Sequence, residues 1–163
     1  MITRASILRF RRGEQGTMLV EFAFVLPLML LLFAVVVEGG RLFWGYQAAV
    51  TGVREASRYL ARVAPLDICD SGGSVAGYDA DLTVMIEQSL GGGSVLPANI
   101  TIEEVTPALR CVTGGFRNDP VPVVSVSADL RLTFPFSGVT RLWGTTLDPV
   151  TATISADARG FGL

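Results

Sequence analysis

The chain has no histidine and no lysine, only two cysteines, and few charged residues of any kind. Without histidine it cannot build a Ser-His-Asp or Cys-His catalytic centre, or a histidine-ligated metal site. Two cysteines alone are too few for a structural zinc site. All 13 cationic side chains are arginine, set against 15 acidic ones, for a formal charge of −2. No basic patch of the kind that tracks phosphates is present, which argues against a DNA or RNA partner. The acidic residues are scattered without a recognisable partner group, so no catalytic site, metal or cofactor is expected. Charged residues make up 17% of the 163 and hydrophobic ones 50%. An ordinary soluble domain carries about a quarter charged residues, so neither a disordered chain nor a simple soluble globule fits.

The apolar excess is concentrated near the N-terminus. Residues 22–37 read FAFVLPLMLLLFAVVV without a charge, and extending back to Thr17 adds a single ionisable group, Glu21. A helix over residues 17–37 rises roughly 31 Å, the thickness of a bilayer core. A secretory signal has a shorter apolar core of about 7–15 residues and a small-residue cleavage site after it. Here Glu38-Gly39-Gly40-Arg41 follows instead, so the segment reads as an uncleaved transmembrane anchor. Arg4, Arg9, Arg11 and Arg12 precede it and only Arg41 follows closely. The positive-inside rule then keeps residues 1–16 cytoplasmic and exports the C-terminal body. Arg11-Arg12 lacks the surroundings of a twin-arginine signal and serves as ordinary topogenic charge.

Glu21 requires a reason, because a charged side chain inside an apolar helix costs about 2.5–3.5 kcal/mol at mid-membrane. One reading places it near the cytoplasmic interface, reaching headgroups or water. The other starts from Gly16: a cut after it would give Thr17 a free α-amine and make Glu21 the fifth residue. Those two positions lie about one turn apart on one helix face. The new amine could pair with that carboxylate, or with that of a neighbouring subunit, and so set subunit register.

Gly16, Glu21-Phe22, Leu26-Pro27-Leu28, Glu38-Gly39-Gly40-Arg41 and Arg54-Glu55-Ala56-Ser57-Arg58-Tyr59 occur in that order. This stretch, over about residues 12–61, resembles the TadE-like family, minor pseudopilins of the tight-adherence (Tad/Flp) pilus system. Two positions depart from the pattern. Gly40 stands where relatives often carry an aromatic, and Phe22 where major pilins usually have Tyr. The second, with the chain length, favours a minor pseudopilin over a major pilin. The resemblance implies cleavage by a prepilin peptidase between Gly16 and Thr17, an assembly contact through Glu21 and Phe22, and other pilin or pseudopilin subunits and the Tad secretion machinery as partners. Besides these, the inner-membrane lipid is a partner in its own right.

Pro27 removes one helix hydrogen bond and crowds the Ala23 carbonyl, so a kink is expected there. Beyond the membrane, Leu32, Val35, Gly39, Leu42, Tyr46, Ala49, Val53, Ala56 and Leu60 follow alternating steps of three and four, the seam of helix-on-helix packing. Gly45, Ala49, Gly52 and Ala56 add a small-residue stripe that permits close backbone approach. Both packing against other subunits and packing on the chain's own head are expected, on different parts of the helix. Arg54, Arg58 and Arg62 recur at i,i+4 and read as a solvated face rather than a docking stripe. Phe43, Trp44 and Tyr46 fall where an interfacial aromatic belt belongs.

Pro65 ends the helix, and a Gly/Ser-rich loop runs to Gly77. An amphipathic helix is expected over residues 78–90, with Leu82, Met85, Ile86 and Ser89-Leu90 on its apolar face and Gly91-Gly92-Gly93 closing it. Those glycines lack the ending of a phosphate loop. The period then changes to two. Ile100 and Ile102 alternate with Thr101 and Glu103. Val124, Val126, Ala128, Leu130, Leu132 and Phe134 alternate with Ser125, Ser127, Asp129, Arg131 and Thr133. Val150, Ala152, Ile154, Ala156 and Ala158 do so with Thr151, Thr153, Ser155, Asp157 and Arg159. Clean alternation predicts an antiparallel sheet of about three strands with one covered face. Phe134-Pro135-Phe136 and Leu142-Trp143 lie in the last connection, either as an interaction patch or as loop-covering core. Cys69 and Cys111 fall in stretches read as exported loops, where an oxidising compartment would join them.

The expected fold class is therefore α+β, in a pilin-like arrangement. Residues 1–16 form a basic cytoplasmic leader and 17–37 a transmembrane segment. Residues 38–64 continue the helix outside, and 65–163 form an exported head, periplasmic or otherwise extracytoplasmic. The expected function is structural rather than enzymatic: a single-pass bacterial inner-membrane minor pseudopilin, assembled with or alongside the fibre and contributing to pilus assembly or adherence. A stationary membrane assembly or adaptor protein of the same secretion apparatus is the alternative. Residues 17–163 alone carry nine Arg against fourteen acidic residues, a formal −5 after cleavage.

Overall fold

A computed structural model describes residues 15–88, 92–115, 119–134, 138, 144 and 148–162. The chain divides into two units, Met1–Val37 and Glu38–Leu163. The leader arginines, Ser89-Leu90, Pro135-Phe136 and Leu142-Trp143 lie outside the described residues.

In the first unit the described residues are helical, forming the opening of α1 (Gln15–Val63). The side chains of residues 16–33 are exposed throughout. Pro27 lies inside the helix, which continues past it. Among the described residues α1 is the one helix long and apolar enough to cross a membrane, and none of its most apolar window is buried.

The second unit has its own core. Ala49, Val53, Ala56 and Leu60 of α1 form one buried cluster with Ile68, Leu82, Ile86, Ile100, Val105 and the inward face of the central strand. The expected seam is thus used by the chain's own head along residues 49–60. Pro65 stops α1, because it lacks an N–H and disfavours a helical residue before it. One carbonyl left without an intrahelical donor at the end of the helix finds one from the C-terminal segment: the Ala61 carbonyl accepts from the Phe161 N–H at 2.9 Å. Arg62 in the last turn suits the negative end of the helix dipole.

A one-turn helix, α2 (Ile68–Ser71), ends at Gly72, whose φ of +66° favours glycine. A 3₁₀ turn (Ala76–Tyr78) leads into α3 (Asp79–Glu87), which starts one residue later than expected and is left at Gln88, whose backbone is extended. Asp79 and Asp81 sit in the first turn of α3, where a helix stabilises negative charge. Leu82 and Ile86 are fully buried, one turn apart, whereas Met85, expected on the same face, is 41% exposed. The buried stripe is narrower than the sequence pattern implies.

Three strands form an antiparallel meander in the order β1–β2–β3: Ile100–Val112, Val121–Leu132 and Val150–Arg159. In β2, Val124, Val126, Ala128 and Leu130 are fully buried, matching the predicted face. Strand β1 carries a bulge between Ile102 and Glu104. The bulge adds one residue, so the inward set passes from Ile100 and Ile102 to Val105, Pro107 and Leu109. On the wet face Arg131 bonds Glu103 at 3.1 Å and the Thr153 hydroxyl donates to Asp129 at 2.6 Å. The fold is α+β, a long apolar N-terminal helix followed by a small head with a short helix and a three-stranded sheet.

Candidate functional site

Two regions carry the residues singled out in the sequence. The first is the beginning of α1. Gly16 and Thr17 already belong to its opening turn, and Thr17 and Glu21 are spaced to share one face of it. Glu21 and Phe22 are exposed. Among the described residues no hydrogen bond or ion pair reaches the Glu21 carboxylate. Apart from Thr17, its neighbours along the helix are apolar: Met18, Leu19, Val20, Phe22, Phe24 and Val25 are exposed hydrophobics. A carboxylate without a partner among the described residues on an apolar helical surface is suited to pairing with a cationic group.

The second region is the junction of Cys69 and Cys111, which form a disulfide across 42 positions of sequence. Both cysteines were expected in loops. Instead Cys69 belongs to α2 and Cys111 to β1, in register with Pro122 of β2. The bond therefore ties two ordered elements of the head together, clamping the segment after α1 onto the edge of the sheet.

The small-residue stripe proves to serve the head. A Cβ at Gly52 would lie 3.1 Å from the Ile86 Cα, so α3 crosses α1 at the backbone. Gly45 is held more closely still, by Pro97 and Ile100. By contrast a Cβ at Gly39 or Gly40 would meet nothing. The arginines at 54, 58 and 62 are all exposed, in keeping with a solvated face. Arg58 pairs with Glu55 at 3.1 Å, and the Arg62 Nε–H donates to the Arg58 carbonyl. Phe43 and Trp44 are 67% and 77% exposed. Of the apolar residues in the last connection only Phe134 is described, and it is half-buried.

Sequence reasoning missed two features. One is the turn at residues 94–97 lodged against α1, for which Gly45 in the small stripe was the available signal. The other is the return of Phe161 to the end of α1, for which there was none.

Residues 16–58 match the family described as TadE-like protein, covering the start of α1 and most of its length. No curated protein and no solved structure matches the chain. TadE-like proteins are a structural family associated with the Tad pilus, and the matched segment includes Gly16, Glu21 and the arginine stripe up to Arg58.

Proposed function

We propose that this protein is a minor pseudopilin of a Tad/Flp-type pilus, anchored in the inner membrane with its N-terminus inside and its head outside, and cut by a prepilin peptidase between Gly16 and Thr17. The observation that carries this reading is the Glu21 carboxylate, unpartnered among the described residues on an exposed apolar helix, one turn from that junction. Left alone in lipid, such a group costs several kcal/mol. Cleavage supplies the missing partner, since the new α-amine of Thr17 is cationic at neutral pH and lies within one helical turn.

In the membrane the amine and carboxylate of one subunit neutralise each other or exchange with those of a neighbour. During assembly the carboxylate of an incoming subunit meets the amine of one already placed, which sets the axial step between them, with Phe22 packing beside the pair. Residues 17–37 then exchange lipid for neighbouring helices. Ala49, Val53, Ala56 and Leu60 stay buried in the subunit's own core, so the head travels unchanged. Pro27, with no N–H to give the Ala23 carbonyl, is where the helix loosens during this transfer.

Intact-mass analysis of sheared fibres and of membranes tests the reading. The expected species begins at Thr17 with a single disulfide. A membrane protein that retains Met1 through Gly16 in cells with an active prepilin peptidase would overturn it.

A further inference from the structure

The unit Glu38–Leu163 exposes two aromatic surfaces at different points along its part of α1. The first is a hollow of about 200 Å³, walled by Trp44 and Gly45 of α1 and by Val95, Leu96 and Pro97 of the turn before β1. Among the described residues that line it none is charged. Trp44 is 77% exposed and Val95 43%. The wall is rigid: a Cβ on Gly45 would lie 2.6 Å from the Pro97 Cγ, so the turn rests on the helix backbone, and the Val95 N–H donates to the Glu87 carbonyl at 3.0 Å.

The second surface lies at the end of α1. Phe161 is 71% exposed, yet its backbone is fixed. Its N–H donates to the Ala61 carbonyl at 2.9 Å, and Gly162 after it, at φ +51°, packs against Leu66. The ring borders a groove that Arg58, Arg62 and Ala158 also line. A ring already held in place loses little freedom on meeting a partner. The two surfaces cannot meet within one head, because the sixteen residues from Gly45 to Ala61 rise roughly 24 Å along a single helix.

We infer that they meet between copies of this chain: the Phe161 ring of one head seats in the hollow of another, with Arg62 of the first against the Trp44 indole of the second. The occupant is a second copy because one chain carries both halves of the fit. An uncharged hollow walled by an indole, a proline and aliphatic side chains takes a phenyl ring without stranding a polar group. A guanidinium is attracted to the face of an exposed indole, and Arg62 is the cation at hand, since Arg58 is paired with Glu55. Leu96 and Pro97 also wall an adjoining hollow lined by Glu87, so an acid stands beside the surface that receives the arginines. Each copy uses one surface and leaves the other free, so repetition builds a line of heads rather than a closed pair. With the two α1 helices parallel, the contact requires a shift of roughly 24 Å along their axis. Copies anchored at one level in a membrane lack that shift, and copies stacked in a fibre acquire it. The inference therefore rests on the reading that the protein enters a fibre.

Its test is cross-linking in cells that make two full-length variants together, Arg58→Cys at the groove and Val95→Cys at the hollow. Both positions are exposed, so neither change reaches the core. Because Cys69 and Cys111 are joined, the introduced cysteine is the thiol available to a short bismaleimide. The expected result is a cross-linked dimer in sheared fibres from the mixed cells, absent when either variant is made alone and absent from membranes. Adding Phe161→Ala to the Arg58→Cys variant is expected to cut the dimer about fivefold or more, and adding Phe161→Tyr to preserve it. Fibres that contain both variants and yield no dimer overturn the inference and leave the pseudopilin reading standing. Absence of the protein from fibres overturns the inference together with its place in the fibre. A dimer from either variant alone shows a symmetric contact, and an equal yield in membranes shows a contact without the axial shift; each overturns the inference. A yield unchanged by Phe161→Ala does the same, since the ring would then contribute nothing.

Discussion

Gly45 stands so close to the ring of Pro97 that a Cβ at position 45 would lie 2.6 Å from Cγ of the proline and 2.5 Å from Cδ1 of Ile100. A proline ring cannot swing aside as a long side chain can, and Ile100 is buried. Two effects oppose each other in Gly45→Ala. Alanine favours the helix by about 1 kcal/mol, while forcing extra volume into a packed contact costs about 1–3 kcal/mol. The expected outcome is a net loss of up to about 2 kcal/mol in chemical unfolding of the full-length protein in detergent. Gly40→Ala, where the added methyl meets nothing, is the control and is expected to be neutral or stabilising by up to about 1 kcal/mol.

Helix α3 offers a second contrast. Leu82 is fully buried and Met85 is 41% exposed, although both fall on the apolar side of the helical pattern. Leu82→Ala is expected to cost about 2–5 kcal/mol through lost burial and the cavity left behind. Met85→Ala is expected to stay within about 0.5–1 kcal/mol of the parent, as surface replacements do. Equal effects at the two positions, in the same unfolding assay, would place Met85 in the core.

The disulfide between Cys69 and Cys111 closes a loop of about forty residues, and loop-closure entropy alone assigns such a link about 3–4 kcal/mol. A head this small has little core to absorb that loss. The double variant Cys69→Ser, Cys111→Ser is expected to lower the unfolding midpoint accordingly, and reduction of the parent protein to do the same. Non-reducing and reducing gels report whether the bond is present in the cell. A midpoint unchanged by reduction would show that the elements the bond joins hold each other without it.

What could be read from the residues follows from how local each signal is. Strands β2 and β3 alternate cleanly because one face meets the core and the other meets water along their whole length. Strand β1 was legible only over its first residues. The bulge at Glu103 and Glu104 moves the inward set by one, so Pro107 and Leu109 break the simple parity. The seam on α1 named the buried Ala49, Val53, Ala56 and Leu60 and left open what they pack on, because a step of three and four is the same for a neighbouring subunit and for the chain's own head. Gly45 and Gly52 settle that question only once Pro97 and Ile86 are seen against them. The bond from Phe161 to Ala61 spans a hundred residues and has no periodic trace at all. The opening of α1 was the most legible part, since a lone carboxylate in an apolar run is costly enough to stand out without any tertiary knowledge.

That carboxylate supplies the sharpest functional prediction. Replacing Glu21 by Ala removes the one charged side chain of the apolar segment, so insertion is expected to proceed at least as well as in the parent, with the protein fully recovered in the membrane fraction. Processing after Gly16 is expected to continue, because the scissile junction itself is untouched. Assembly is expected to fail, as the new amine at Thr17 would then have no carboxylate to meet in a neighbour. Glu21→Gln separates charge from shape: it keeps the side-chain length and a hydrogen-bonding group, and is expected to assemble at a level between alanine and the parent. The readout is the ratio of this protein in sheared fibres to that in membranes. A normal ratio for Glu21→Ala would mean that the carboxylate is accommodated by headgroups or water alone, and the pairing would have to be given up.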